Sequence, residues 1–455
     1  MTGLPAVAAL RKARAWQPWI NCFVTIDDTA GDRAEQLAAV DQSDADSAAP
    51  VQLRGIPVAY KDAFVVSGRI PGAGSRVKLA QPTARADVER ILSRSGTVTI
   101  GTLHLDEFSY AATGRSEVLG DCRNPWNLEH ATGGSSSGAA AAVAARIVPL
   151  AIGTDTGGSV RLPAAWCGVL GFKPTFGTVS TAGIVPLSPS QDTVGLLSTD
   201  VELLRQAYHA LLGNTLSRVR PRRADTPHPP AGLRIGRPTD VHLQVADEDA
   251  LAGLHIAEKA LGDLGAALVE TELAYMPACD TAAAVVTASE AAALHGRLLH
   301  DHAGAYQLGT RTRLRVGQLL SAGTYVDALR YRSVAIRRAM AETFTDVDVV
   351  LTPVAPSAAP KLTDLPPPSS PGLSRNTKDL LFYTRTFNYL GFPSISVPVG
   401  FTEQGLPLAV QLTAAPHADD VLLNVAQALQ DLFNWSSRQP QLPSPANNRG
   451  RRPFV

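Results

Sequence analysis

The apolar positions of this chain change rhythm along its length. From Gly55 to Gly195, short apolar runs (Ile56–Tyr60, Val98–Ile100 and Val148–Ile152) alternate with Gly-rich turns and Ala-rich helical patterns. Short runs bounded by turn residues predict buried strands. From Asp247 to Asp346 the spacing becomes mostly helical: Ala252, Leu254, Ile256, Leu261 and Leu264 recur at helical intervals, as do the apolar residues of Tyr325–Phe344. Strand-like runs return at Val349–Thr352 and Ile395–Val399. Strands separated by helices predict an α/β fold, and the late strands predict that the C-terminal part rejoins the same sheet. Two stretches interrupt the texture. Residues Ser217–Pro230 are basic and proline-rich and read as an exposed connection, while Pro353–Gly372 holds seven prolines and reads as a long loop on a surface or over a site.

Composition narrows the function. The chain has 455 residues, 45% of them hydrophobic, with 41 Lys+Arg balanced by 41 Asp+Glu. Nucleic acids and anionic membranes favour a basic excess, so neither is expected as a partner. The four cysteines, Cys22, Cys122, Cys167 and Cys279, have no zinc-site spacing and do not form a disulfide framework at this length. No metal and no cofactor is expected. The N-terminus places Arg11, Lys12 and Arg14 after its apolar stretch, the reverse of a secretory signal. The most apolar segment, Ala139–Ile152, is broken by Arg146 and Pro149 and is too short to span a bilayer. A soluble, cytoplasmic protein is expected. His300-Asp-His302 and the run Arg311-Thr-Arg313-Leu-Arg315 read as solvated helix surfaces.

The chemistry concentrates in three strings. In Gly55-Ile-Pro-Val-Ala-Tyr-Lys61, a strand ends on a lysine that shares its face with Pro57 and Ala59. By residue type alone that lysine reads as a strand end reaching water. Gly133-Gly134-Ser135-Ser136-Ser137-Gly138 runs straight into an uncharged Ala helix, which a flexible linker would not do. It reads as a tight turn delivering serines to a helix start. The same string contains a literal G-x-S-x-G around Ser136, the mark of an α/β-hydrolase nucleophile, but no buried strand precedes it. The third string, Gly153-Thr-Asp155-Thr156-Gly157-Gly158-Ser159-Val-Arg161-Leu-Pro163, sets backbone N–H groups around a serine, where they could hold a developing oxyanion.

Together these strings resemble the amidase signature family of serine hydrolases, with Ser135 and Ser159 separated by the family's 24 positions. Arg123-Asn-Pro-Trp126, Gly171-Phe-Lys-Pro174, Asp192-Thr-Val-Gly195 and Asn388-Tyr-Leu-Gly-Phe-Pro393 extend the likeness over most of the chain, which is faint only from Arg218 to Asp346. The resemblance implies an α/β fold in a single large domain, residues 1–455, whose mixed central sheet is covered by helices on both faces. Core motifs would span 55–195, a variable and mostly helical region about 218–346, and a closing core segment about 347–415. It implies a Ser159 nucleophile, a Ser135 relay after a cis peptide bond, and Lys61 as base, which reverses the solvated reading of that lysine. A serine needs a base to take its proton, and a lysine serves only when burial lowers its pKa. The N–H groups of Thr156, Gly157, Gly158 and Ser159 would form the oxyanion hole, with Gly134, Ser136, Asp155 and Arg161 in support. A small-molecule amide substrate and a homodimer follow from the same likeness. The strings also resemble the glutamyl-tRNA amidotransferase A subunit, so a glutamine-hydrolysing component of such a complex is the alternative. An esterase using Ser136 and a non-catalytic anion-binding protein remain more distant readings.

Overall fold

The computed structural model describes residues 5–39, 53–80, 84–213, 232–239, 243–370 and 380–443. The connection expected over 217–230 and the end of the proline-rich stretch, residues 371 and 372, lie outside these residues.

In chain order the strands are β1 (Phe23–Ile26), β2 (Pro57–Lys61), β3 (Val98–Leu103), β4 (Arg123–Asn124), β5 (Asn127–Ala131), β6 (Leu150–Asp155) and β7 (Leu170–Lys173), then β8 (Thr193–Ser198), β9 (Arg234–Pro238), β10 (Ala267–Thr271), β11 (Val349–Pro353), β12 (Ser394–Phe401) and β13 (Pro407–Ala414). Eleven of them form one sheet in the order β1-β3-β2-β6-β8-β7-β12-β13-β11-β9-β10, and β4 pairs with β5 apart from it. The sheet is mixed: β2 runs parallel to β3 and β6, whereas β6 and β8 are antiparallel. Strands β11 to β13 of the closing segment therefore share one sheet with the motif-bearing strands β2 and β6.

Alternation along the strands builds two cores. On β2, Val58 and Tyr60 face a core with the helices Asp87–Arg94, Val201–Leu212, Glu248–Asp263 and Asp419–Phe433. Ala59 faces the other way, into a core of small residues with the helices Pro5–Ile20 and Ser137–Ala144. Further along that second side, Val350 of β11 packs with the helices Met276–His302, Ala322–Glu342 and Phe382–Leu390. Helices thus cover both faces.

Small residues set the spacing on the second side. Every residue of Ser137–Ala144 is buried. A Cβ at Gly138 would stand 2.2 Å from the Cys22 carbonyl oxygen, so glycine is what lets this helix seat against its neighbours. All four cysteines are buried free thiols.

Candidate active site

Strand β2 delivers Lys61 to the alanine-rich side, the parity its sequence predicts. The side chain is completely buried. Its Nζ donates to Ser135 Oγ at 2.7 Å and to Thr154 Oγ1, from the neighbouring strand β6, at 2.8 Å. Burial pushes the ammonium down to about 7, against the opposing pull of Asp106, Asp192 and Asp155. A fall from 10.5 to about 7 corresponds to about 5 kcal/mol, so the fold spends stability to hold an amine that can be neutral near pH 7.

Ser135 follows a cis Gly134–Ser135 peptide and is fully buried. A Cβ at Gly134 would lie 1.9 Å from Asp106 Oδ2, so only glycine fits there. That oxygen accepts from Gly114 N at 3.0 Å, and Asp106 Oδ1 accepts from Thr113 Oγ1 at 3.0 Å. Asp106 is thus held by Thr113 and Gly114 close against Gly134, with its charge acting on Lys61.

Strand β6 ends on Asp155, which folds the next loop around itself. Its carboxylate accepts from Gly158 N at 2.8 Å and Val160 N at 3.1 Å, and pairs with Arg161 through Nε at 3.0 Å and Nη2 at 2.9 Å. Burial would raise this carboxyl, but the adjoining guanidinium and hydrogen bonds hold it below the usual range. Arg161 is equally buried. It also donates to Thr384 O, Gln411 Oε1 and Asn388 Oδ1, so none of its charge faces an apolar wall. Thr156 Oγ1 donates to Asp192 Oδ1 at 2.6 Å, and Asp192 also accepts from Leu187 N and Ser188 N. Ser136 N donates to Ser159 O at 3.0 Å, tying the two serine loops together.

Two expectations change. The N–H of Gly158 points to Asp155, which removes it from the expected oxyanion donors and leaves Thr156, Gly157 and Ser159. Ser136 is fully buried and donates through Oγ to Thr154 O at 3.2 Å, and β5 before it belongs to the small two-stranded ladder. That hydroxyl is engaged within the loop and does not line the cavity, and it lacks the buried strand that an α/β-hydrolase nucleophile follows.

A cavity of about 670 Å³ opens over the third string, and Ser159, Thr156 and Gly157 line it. Of Lys61, Ser135 and Ser159, Ser159 alone reaches this space. Among the described residues the Ser135 and Ser159 hydroxyls are not hydrogen-bonded to each other. The far wall comes from the helices Met276–His302 and Leu308–Gln318 and from Pro366–Pro368. The proline-rich loop therefore lies over the site, the second of its two expected places. Arg115 fastens it, donating through Nη1 to the carbonyls of Leu362, Leu365 and Pro366 at 2.9–3.2 Å.

The Arg311–Arg315 run divides. Arg315 is exposed as expected, but Arg313 is only partly exposed and lines the cavity over the Tyr110 ring, 5.2 Å from its centroid. It is a cavity group and not part of a charged surface face. Sequence reasoning does not reach the roles of Thr154, Asp106 or Thr384, whose ties to the site form only when separate stretches of the chain fold together.

The family model described as Amidase matches residues 6–423. The chain belongs to the amidase family. It is accordingly an enzyme of the class acting on amide C–N bonds. The A subunit of glutamyl-tRNA(Gln) amidotransferase from Thiobacillus denitrificans is 33% identical over 464 residues, covering 95% of this chain and 94% of that one. A crystal structure of an amidase superposes with a TM-score of 0.84 at 27% identity, covering 94% of this chain and 96% of the other. The native peptide amidase from Stenotrophomonas maltophilia superposes with a TM-score of 0.76 at 26% identity, covering 97% and 95%. Among the described residues, no helix of this amidase is long and apolar enough to cross a membrane.

Proposed function

We propose that this chain hydrolyses a small amide through an acyl-enzyme on Ser159, with Ser135 as proton relay and Lys61 as base. One observation carries the reading: a fully buried amine near neutrality donates to Ser135 Oγ at 2.7 Å, while Ser159 alone of the three opens to the cavity.

In this mechanism Ser159 Oγ attacks the amide carbonyl carbon. Its proton passes to Ser135 Oγ as the Ser135 proton passes to neutral Lys61. The carbonyl oxygen gains the negative charge beside the N–H groups of Thr156, Gly157 and Ser159, each such donor being worth roughly 3–4 kcal/mol. The proton returns along the same path to the leaving nitrogen, the C–N bond breaks, and water repeats the cycle on the ester. The missing Ser135–Ser159 hydrogen bond agrees with a relay that tightens when substrate binds.

The unit is a single domain of 1–455, as the sheet shared by β2, β6 and β11 to β13 supports, working in the cytoplasm as a homodimer on small molecules. Labelling with a fluorophosphonate tests the nucleophile. Ser159→Ala should abolish it and Ser136→Ala should leave most of it, and the reverse would sink the assignment. A second reading, a glutamine-hydrolysing subunit, is favoured by the 33% identical amidotransferase relative. Turnover of simple amides by the purified chain alone excludes it. Ammonia release from glutamine only with a partner protein establishes it.

A further inference from the structure

The cavity wall holds a charged pair that the triad does not use. Arg385 lies on the helix Phe382–Leu390, which is fastened to the nucleophile loop through Thr384 Oγ1 to Gly157 O at 2.6 Å and Asn388 Nδ2 to Asp155 O at 3.0 Å. The helix thus places Arg385 as firmly as it places the loop. The arginine reaches over that loop: a Cβ at Gly157 would lie 3.6 Å from its Cγ and 3.9 Å from its Nε. Both residues line the same cavity as Ser159.

Asp280 holds the guanidinium by one corner, accepting from Nη1, and the two side chains, Arg385 and Asp280, are only 14% and 26% exposed. Among the described residues, the Nε–Nη2 edge of Arg385 has no hydrogen-bond partner. That edge matches the two oxygens of a carboxylate. Other acids on the wall are already engaged. Asp106 accepts from Thr113 and Gly114, and Glu107 accepts from Ser75 Oγ at 2.6 Å and Gln307 N at 3.0 Å. Tyr110 lies within the fields of both Arg313 and Arg385. Burial raises its hydroxyl to about 12, so it stays a neutral donor. The space before Ser159 therefore presents cationic and donor groups to a ligand, with one guanidinium edge unclaimed.

We infer that Arg385 is a specificity-determining residue that receives a carboxylate carried by the amide substrate. The inference rests on the amide-hydrolase reading and names the substrate class of that site: amides bearing an acid within reach of the scissile carbonyl. Asp280 aims the guanidinium and keeps it paired when the site is empty.

The test compares matched amides: succinamate, glutaramate and adipamate against butanamide, pentanamide and hexanamide. Wild type should favour the acid over its methyl-ended counterpart in kcat/KM by about 30-fold or more at one chain length at least, the scale expected for a largely desolvated charge pair. In the double variant R385Q/D280N, which leaves no unpaired charge behind, that ratio should collapse toward one. R385K, which keeps the charge but loses the fork, should retain part of it. A ratio unchanged in the double variant, or a preference for the methyl-ended amide at every length, overturns the inference. Fluorophosphonate labelling of Ser159 separates the two layers of argument. If wild type does not label, the hydrolase reading falls and takes this inference with it. If it labels but shows no acid preference, only the Arg385 assignment falls. Should no amide of the series turn over, protection of Ser159 from labelling by each amide is scored by the same ratios.

Discussion

The two sides of the cavity are built on opposite plans. On the sheet side, Lys61, Ser135, Asp155 and Arg161 are fully buried, and each of these polar groups is hydrogen-bonded, Asp155 and Arg161 in part to the helix Phe382–Leu390. The helical side, from Met276–His302 and Leu308–Gln318 together with Phe382–Leu390, sets Arg313, Asp280 and Arg385 against open space. In the proposed mechanism, chemistry that needs fixed geometry sits where movement would leave a buried charge or hydroxyl unpaired. Substrate choice, in the inference above, sits on side chains that line the cavity, where exchange is expected to cost the fold less.

The largest expected effect lies on the sheet side. Lys61→Ala removes the base, and kcat/KM on any accepted amide should fall by roughly 10³-fold, within the range general-base catalysis contributes. A loss below tenfold would move the base elsewhere and erase the contrast. Asp155→Asn comes next. It leaves the Arg161 guanidinium buried without its counter-charge, which should cost about 3–5 kcal/mol and appear as an earlier midpoint in chemical denaturation. A midpoint like wild type would show that the loop tolerates change as the helical wall does.

The pH profile is the third test. Lys61 is lowered to about 7 and must be neutral to act, so kcat/KM should climb about tenfold per pH unit below 7 and level off above it. A second buried lysine, Lys173, is also lowered to about 7, but its Nζ donates to Pro174 O at 2.9 Å and does not line the cavity. Lys173→Met should therefore leave the position of the rise unchanged, whereas a shifted rise would reassign it. The smallest effect belongs to the helical side's cover. Arg115→Ala releases three carbonyls of the proline-rich loop, and KM should rise several-fold with kcat nearly constant, the pattern of lost uniform binding. An equal fall in kcat would place that loop in the chemistry.

The same contrast explains what the sequence discloses. Lys61, Ser135 and Ser159 stand in unbroken strings whose glycines and alanines serve tight local packing, so their places are legible. Thr154 is not, because its tie to Lys61 depends on β2 and β6 being neighbours, which spacing does not reveal. Gly158 falls among the expected oxyanion donors because only the folded loop shows its N–H turned to Asp155. Arg313 looks like surface, since alternate arginines on a helix say nothing about what the helix faces. The alternation of strands and helices points to an α/β sheet, while β7 and β8 joining β6 to β12 depends on long-range pairing. Strand β10 lies in a stretch whose pattern is mostly helical. It is a five-residue edge strand with most positions outside the core, so its hydrophobic signal is weak.

The complete enclosure of Lys61 carries a further consequence, for chemical durability. Aldehydes, isocyanates and activated esters consume neutral lysine amines, and an amine with a pKa near 7 would be their first target were it accessible. Here the amine is completely buried and does not line the cavity. Amine-directed reagents should therefore modify the surface lysines of the folded enzyme and spare its activity, and inactivation by them should follow the rate at which the fold opens.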